Sequence, residues 1–161
     1  MQDTLPYIQR YFPTADIINI ETDNFFLNKV PDAWVKLFEL QDFADRKNYL
    51  LNTIWRNVVS NEMRNTISYL EQHLTLIELL KVADSYSILY GVTNEKGKVV
   101  YYKGDAPAST GMSEPLQADF PKLPDAVKLF YTQLHDGFYY LASESMGLVP
   151  LLSVTRLADE E

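Results

Sequence analysis

The sequence lacks cysteine altogether, and its 161 residues include only two histidines. Without cysteine the chain cannot form disulfides, use a thiol nucleophile or bind zinc through sulfur ligands. His73 and His135 are too few for a histidine-rich metal site. These absences exclude disulfide scaffolds, thiol enzymes and most zinc proteins, and we expect neither a metal nor a cofactor.

Long apolar stretches and a secretory leader are absent as well. The longest apolar runs span only a few residues, whereas a membrane helix needs about 20. Residues Met1 to Pro6 contain no basic segment followed by an apolar one, so we expect no signal peptide. The sequence therefore predicts a cytoplasmic protein that does not interact with a membrane.

Basic residues are outnumbered, with 14 lysines and arginines against 22 aspartates and glutamates and a net charge of −8. The two halves, divided after residue 80, each carry a net charge of −4, so the acidity is spread along the chain. Because an acidic surface repels phosphate backbones, we expect no nucleic-acid binding and an electrostatic attraction to a basic protein partner. Solubility alone is the alternative explanation, and charge taken by itself favours that alternative.

Apolar residues make up 47% of the chain and aromatic residues 13%, which supplies the core of a single domain over residues 1–161. Apolar residues recur at helical spacing between residues 31 and 83, which predicts a helical subregion there. The last of these patterns predicts one continuous helix over residues 62–82 with a buried stripe at alternating spacings of four and three. The stripe consists of Met63, Ile67, Leu70, Leu74 and Ile77.

Residues 84–161 form the second subregion. Apolar and small or polar residues alternate from Tyr86 to Val92, and an Asn-Glu-Lys-Gly turn then precedes a second apolar run, which predicts a β-hairpin over 86–103. Leu123-Pro124-Asp125 predicts the start of a helix that ends near His135. The sequence thus predicts an α+β fold in which a helical N-terminal part packs against a small antiparallel sheet.

No phosphate-binding glycine loop, paired-histidine helix motif or nucleophile elbow occurs in the sequence. His135 beside Asp136 is the pair that most resembles a general base with an orienting acid. A histidine at a helix end also interacts favourably with the helix dipole, and we favour this structural role. It predicts that His135→Ala costs about 1 kcal/mol or less. We therefore expect no catalytic residues.

Four short motifs lie between residues 120 and 151. They are Phe120-Pro121-Lys122-Leu123-Pro124, Phe130-Tyr131, Leu134-His135-Asp136-Gly137-Phe138 and Ser145-Met146-Gly147-Leu148-Val149-Pro150-Leu151. Together they resemble the core motif of the SUKH superfamily, the cell-wall-assembly-regulator-like proteins that include many bacterial immunity proteins against secreted toxins. The resemblance implies a helix that begins at a Leu-Pro pair and ends in an Asp-Gly turn, followed by a strand, a Gly-rich turn and a Pro-Leu segment. It implies no catalytic residues.

Members of that superfamily usually continue with further strands and helices, whereas only ten residues follow Leu151 here. Two alternatives stay open at this point. Either the SUKH-like C-terminal part is incomplete, or the hairpin at 86–103 completes its sheet.

The resemblance implies a non-enzymatic immunity protein that binds and neutralises a toxin, and the acidity suits a basic, nuclease-like toxin. A regulatory or scaffolding module is the alternative, and an uncharacterised enzyme is the least favoured hypothesis. We expect the partner to contact two aromatic anchors and the acidic end of the sequence. These candidate residues are Tyr139, Tyr140, Asp159, Glu160 and Glu161.

Overall fold

The computed structural model describes residues 3–24, 26–108, 112–143 and 146–154. π-Helical turns at Leu50–Trp55 and Phe130–Leu134 extend two of the helices, and 3-10 turns lie at Phe120–Lys122 and Leu151–Ser153. The helices are α1 Thr4–Ile8, α2 Asp32–Glu39, α3 Phe43–Tyr49, α4 Arg56–Val59, α5 Arg64–His73, α6 Glu114–Asp119 and α7 Asp125–Leu129. The strands are β1 Asp16–Ile17, β2 Leu74–Val82, β3 Ser85–Thr93, β4 Val99–Asp105, β5 Phe138–Tyr140 and β6 Gly147–Leu148.

The strands form one antiparallel sheet in which every strand pairs with its neighbour in the chain. The predicted hairpin corresponds to β3 and β4, which pair from Ser87–Asp105 to Thr93–Val99. Its turn is stabilised by the Asn94 side chain, whose oxygen accepts hydrogen bonds from the backbone N–H groups of Lys96 and Lys98. Gly97 supplies the positive φ of 72° that this turn requires. The hairpin prediction is confirmed.

Both faces of the sheet are covered. On one face Ile77, Ile88 and Tyr90 pack against the helices that follow β1, in a core that also includes Trp34 and Trp55. On the other face α1 and the segment after it cover a smaller core. Because β3 is buried on both faces, it is apolar over most of its length rather than alternating strictly with polar residues. The predicted α+β fold, with a helical part packed on an antiparallel sheet, is confirmed.

The single helix predicted over residues 62–82 is wrong. Helix α5 ends at His73, Leu74 adopts an extended backbone, and the chain continues as strand β2 to Val82. The predicted helical subregion 31–83 therefore gives way to the sheet at Leu74. Burial was predicted better than secondary structure, since only Met63 of the predicted stripe is not fully buried.

A β-bulge explains why a strand carried a helical pattern. The pairing of β2 with β3 shifts register between Leu74 and Leu76, which inserts one extra residue into β2. Leu74 and Ile77 therefore both contact the larger core although they are three residues apart. Beyond the bulge, the adjacent residues Leu79 and Leu80 face opposite cores, as expected for a strand that is buried on both faces.

The C-terminal elements belong to the same sheet as the hairpin. Strand β5 pairs with β4, and the two-residue strand β6 pairs with β5. In the described residues the hairpin strand β4 is therefore the neighbour of β5 in one shared sheet. Residues 120–151 run through a helix, an Asp-Gly turn and two short strands, an order that does not by itself establish a family.

The two-residue turn between β2 and β3 contains a strained residue. Ala83 has a φ of 52°, in the left-handed region that a side chain disfavours. We predict that Ala83→Gly raises the free energy of unfolding by about 0.5–1 kcal/mol, because glycine adopts this conformation without the steric cost. Urea unfolding monitored by tryptophan fluorescence measures the change.

Ala118→Gly is the matched control, because Ala118 is exposed within α6 and has no left-handed backbone to relieve. This control should lose about 0.5–1 kcal/mol. A loss of stability in both variants would contradict the strain at Ala83.

Candidate functional site

His135 lies at the centre of a buried chain of hydrogen bonds. The indole N–H of Trp55 donates to the Tyr90 hydroxyl at 3.0 Å, and that hydroxyl lies 2.7 Å from Nε2 of His135. Nδ1 of His135 lies 2.9 Å from the carbonyl oxygen of Asp105. Since a carbonyl can only accept, Nδ1 carries the proton and Nε2 accepts the hydroxyl proton of Tyr90. Every polar atom of these side chains is therefore satisfied.

The residues of this hydrogen-bond chain come from three parts of the fold. Trp55 ends one π-helical turn, His135 directly follows the other, and Tyr90 lies in the middle of β3. Gly104 in β4 provides the space for the imidazole, because a Cβ atom at that position would lie 2.6–2.8 Å from three atoms of the ring. A glycine in a strand commonly marks such a close approach.

This geometry supports a structural role for His135. The stabilisation comes from buried hydrogen bonds rather than from an interaction with a helix dipole. The side chain is fully buried, and burial lowers its pKa to about 4, so it is neutral and makes no charged contact with a helix dipole. Truncating it would leave the hydroxyl proton of Tyr90 without an acceptor and create a cavity. It would also remove one of the two N–H donors to the Asp105 carbonyl oxygen, which keeps only the Asp136 N–H at 3.2 Å. The expected cost of His135→Ala is therefore about 2–5 kcal/mol, above the sequence-based value.

We predict that His135 makes the protein less stable as the pH falls from about 6.5 towards 4. Over this range the unfolded histidine binds a proton that the folded one does not, so unfolding becomes more favourable by up to about 1.4 kcal/mol per pH unit. Above pH 6.5 both states are neutral and the effect vanishes. Urea unfolding at several pH values, in a His73→Gln background that leaves one imidazole, measures this dependence.

The same series with His135→Gln provides the comparison. This variant should be less stable at pH 7.5, but its stability should fall less steeply below pH 6.5 because no imidazole titrates. Parallel curves for the two proteins would contradict the prediction, since the steeper loss would then come from other groups.

A second buried cluster surrounds Lys103. Its ammonium group pairs with the carboxylate of Asp105, donates to the Tyr139 hydroxyl at 3.0 Å and lies 5.3 Å from the centre of the Phe12 ring. Burial alone would lower the pKa of Lys103, but the attraction of Asp105 and Tyr139 outweighs it and raises that pKa. Lys103 is thus a protonated, paired cation rather than a nucleophile. Through the contact between Phe12 and Lys103, the cluster packs the segment after α1 against strand β4 of the sheet.

A cleft of about 470 Å³ opens beside this cluster. Its charged lining has both signs, with Lys29 and Lys103 together with Asp84, Asp105 and Asp136, and the charge of Lys103 is already neutralised by Asp105.

Three or more metal-ligating side chains do not come together anywhere in the described ranges. The same ranges contain no helix with the length and apolarity needed to cross a bilayer.

The two predicted aromatic anchors lie on opposite faces of strand β5 and have different surroundings. Tyr139 is only 5% exposed and its hydroxyl is bound to Lys103, so the prediction that it serves as an accessible anchor is wrong. Successive strand residues point to opposite faces, and Tyr140 is half-buried beside Tyr102, with 5.9 Å between the ring centres. Asp159, Glu160 and Glu161 lie outside the described residues.

Tyr102 is part of an apolar groove that consists of two cavities. One cavity, of about 420 Å³, lies between α5 and the β5–β6 edge, and the other, of about 320 Å³, lies between α4 and α7. Met63 and Leu148 line both cavities, so the two cavities adjoin there, and we call this shared pair of side chains the ridge. The remaining lining residues are Asn65, Thr66, Tyr69, Leu70, Tyr102, Phe138 and Gly147 in the first cavity, and Val59, Glu62, Ala126, Val127 and Phe130 in the second.

Several large apolar side chains are exposed at this groove rather than scattered singly. Tyr69, Val127 and Leu148 line it and are all exposed, and Met146 is exposed just before Leu148. Tyr69 and Tyr102 line the first cavity, and Tyr140 lies beside Tyr102. Burial and the nearby hydroxyls of Tyr69 and Tyr140 raise the pKa of Tyr102. A concentrated apolar patch of this kind is typical of a binding surface.

Sequence reasoning missed the groove because its walls come from distant segments. The sequence places Met63 in a buried stripe, and Leu148 in a motif whose resemblance implies a Gly-rich turn and a Pro-Leu segment. A weak signal was present, since Met146 and Leu148 place large apolar side chains at the end of the sheet, where strands are short and exposed. Only the fold brings them beside α5 and α7.

Comparison of the chain with protein-family models, with curated proteins and with solved structures gives no match. The resemblance of residues 120–151 to the SUKH superfamily therefore remains a proposal.

Proposed function

We propose that the protein is a non-enzymatic binding protein of the immunity type that acts in the cytoplasm and neutralises a basic, nuclease-like toxin by occluding it. The observation that carries this proposal is an exposed apolar groove on a chain with a net charge of −8. The resemblance of residues 120–151 to the SUKH superfamily supports the immunity role in particular.

Groove and charge have complementary effects on binding. The excess negative charge attracts a basic partner over a distance and raises the rate of encounter. The apolar side chains at the groove then supply the desolvated contacts that hold a complex together, as aromatic and apolar anchors do at protein interfaces. Tyr140 keeps its proposed role through its position beside Tyr102 at one end of the groove.

The polar groups that most resemble catalytic machinery have other roles. His135 is fully buried with both ring nitrogens bonded, and Lys103 is held by Asp105 and Tyr139. Neither group is positioned to transfer a proton to an external substrate. This arrangement favours binding over catalysis.

A regulatory or scaffolding module is the second candidate, because the groove would suit any basic protein partner of the right shape. The two functions differ in what the partner does when it is alone. An immunity protein has a partner that is toxic in its absence, whereas a scaffold has a partner that is harmless.

We predict that a partner recovered from native cells by photo-crosslinking at Tyr69 arrests growth when it is expressed alone, and that co-expression of this protein restores growth. Rescue should be lost in Leu148→Glu, which places a charge on the apolar ridge. Phe43→Glu is the matched control, because Phe43 and Leu148 are both 39% exposed and Phe43 lies outside the groove. A partner that is harmless alone would refute the immunity role and favour the scaffold.

The association rate of the purified pair should fall at least about tenfold between low and high salt, because screening weakens the attraction between unlike charges. Leu148→Glu should instead act mainly on the dissociation rate. Stopped-flow fluorescence separates the two rates. A salt-independent association rate would mean that the acidity only keeps the protein soluble.

A further inference from the structure

We infer that the apolar groove receives an amphipathic helix of the basic partner, which carries two apolar side chains one helical turn apart and a basic residue beside them. The inference rests on the proposed function, because it names the kind of segment through which that partner binds.

The two cavities define the spacing of the apolar side chains. They lie on either side of the ridge formed by Met63 and Leu148, and each is large enough for a side chain such as leucine or phenylalanine. A ligand that fills both must present two apolar groups on one face and pass over the ridge between them. Residues three or four apart on a helix lie on the same face and meet this requirement.

The backbone at the sheet edge argues against an extended segment that adds a strand. Strand β6 is the last in the sheet and has only two residues, and three backbone groups of the residues that flank it are already bonded. The oxygen of Met146 accepts from the Tyr140 N–H, the oxygen of Val149 accepts from the Tyr131 hydroxyl, and the Leu151 N–H donates to Asp136. An added strand would find little to pair with, whereas a helix satisfies its own backbone.

The charge at the groove defines the third feature of the ligand. Glu62 lines the second cavity and is exposed, and it forms no ion pair with any residue in the described ranges. A lysine or arginine next to the apolar side chains of the ligand would meet this carboxylate. The overall charge of −8 favours a basic segment as well.

Methionine-methyl NMR with designed peptides tests this inference on the full chain. The probe is an alanine-based helical peptide with two leucines four residues apart and lysines flanking them on the same face. Met63 reports directly from the ridge, and Met112, which does not line the groove, serves as the internal control. Two further peptides have the leucines two residues apart, or glutamates in place of the lysines.

The first peptide should bind saturably and shift the Met63 methyl signal without moving that of Met112, and both control peptides should bind at least about tenfold more weakly. Glu62→Lys should weaken binding several-fold, whereas Glu95→Lys, which makes the same charge change at the β3–β4 turn, should not. Equal binding of the three peptides, no shift at Met63, or equal effects of the two lysine variants would overturn the inference.

These outcomes are separate from those that test the proposed function. If the partner binds through Leu148 and its toxicity is neutralised while the helical peptide fails, the ligand is not a helix but the function stands. If the peptide binds at Met63 while the captured partner is harmless alone, the helix-binding groove stands and the immunity role fails.

Discussion

The hydrogen-bond chain from Trp55 through Tyr90 and His135 to the backbone of Asp105 is the interaction on which the rest of this structure depends. It joins the helical layer, the central strand, the C-terminal helix and strand β4 at one buried point. Inside a core, a polar group without a partner costs about 1–3 kcal/mol, so the four groups favour one arrangement of these elements. Gly104 is part of the same constraint, because the imidazole occupies the space that a side chain there would fill.

The groove is a consequence of how this network positions the helices. The two π-helical turns end in the buried chain, and the segments beside them, α4 and α7, form the walls of the second cavity. Phe138, which contacts the rings of Trp55 and His135 in the core, also lines the first cavity. The floor of the groove is therefore part of the rigid core, and a preorganised surface loses little conformational entropy when it binds a partner.

Sequence patterns predicted the parts of the fold that depend on local chemistry. The β3–β4 hairpin follows from alternation and an Asn-Glu-Lys-Gly turn, and the helix after Pro124 from its first turn. The strand after His73 could not be predicted, because a bulge between Leu74 and Leu76 gives a two-sided strand the spacing of a helix. Tyr139 and Tyr140 were equivalent in sequence, and only the pairing of β5 shows that the first faces Lys103 and the second Tyr102.

The outermost strands of the sheet are short, and the edge beside the groove therefore offers little to an extended partner. Strands β1 and β6 have two residues each, and β6, which lines the groove, presents no long row of free backbone groups. Short edges are a common protection against unwanted strand pairing. The proposed recognition at this edge would then depend on side chains, and the exposed apolar residues around Leu148 and the acidic charge of the chain are the features that could provide it. The short edge strand thus leaves the groove as the surface on which the specificity of the proposed function would be built.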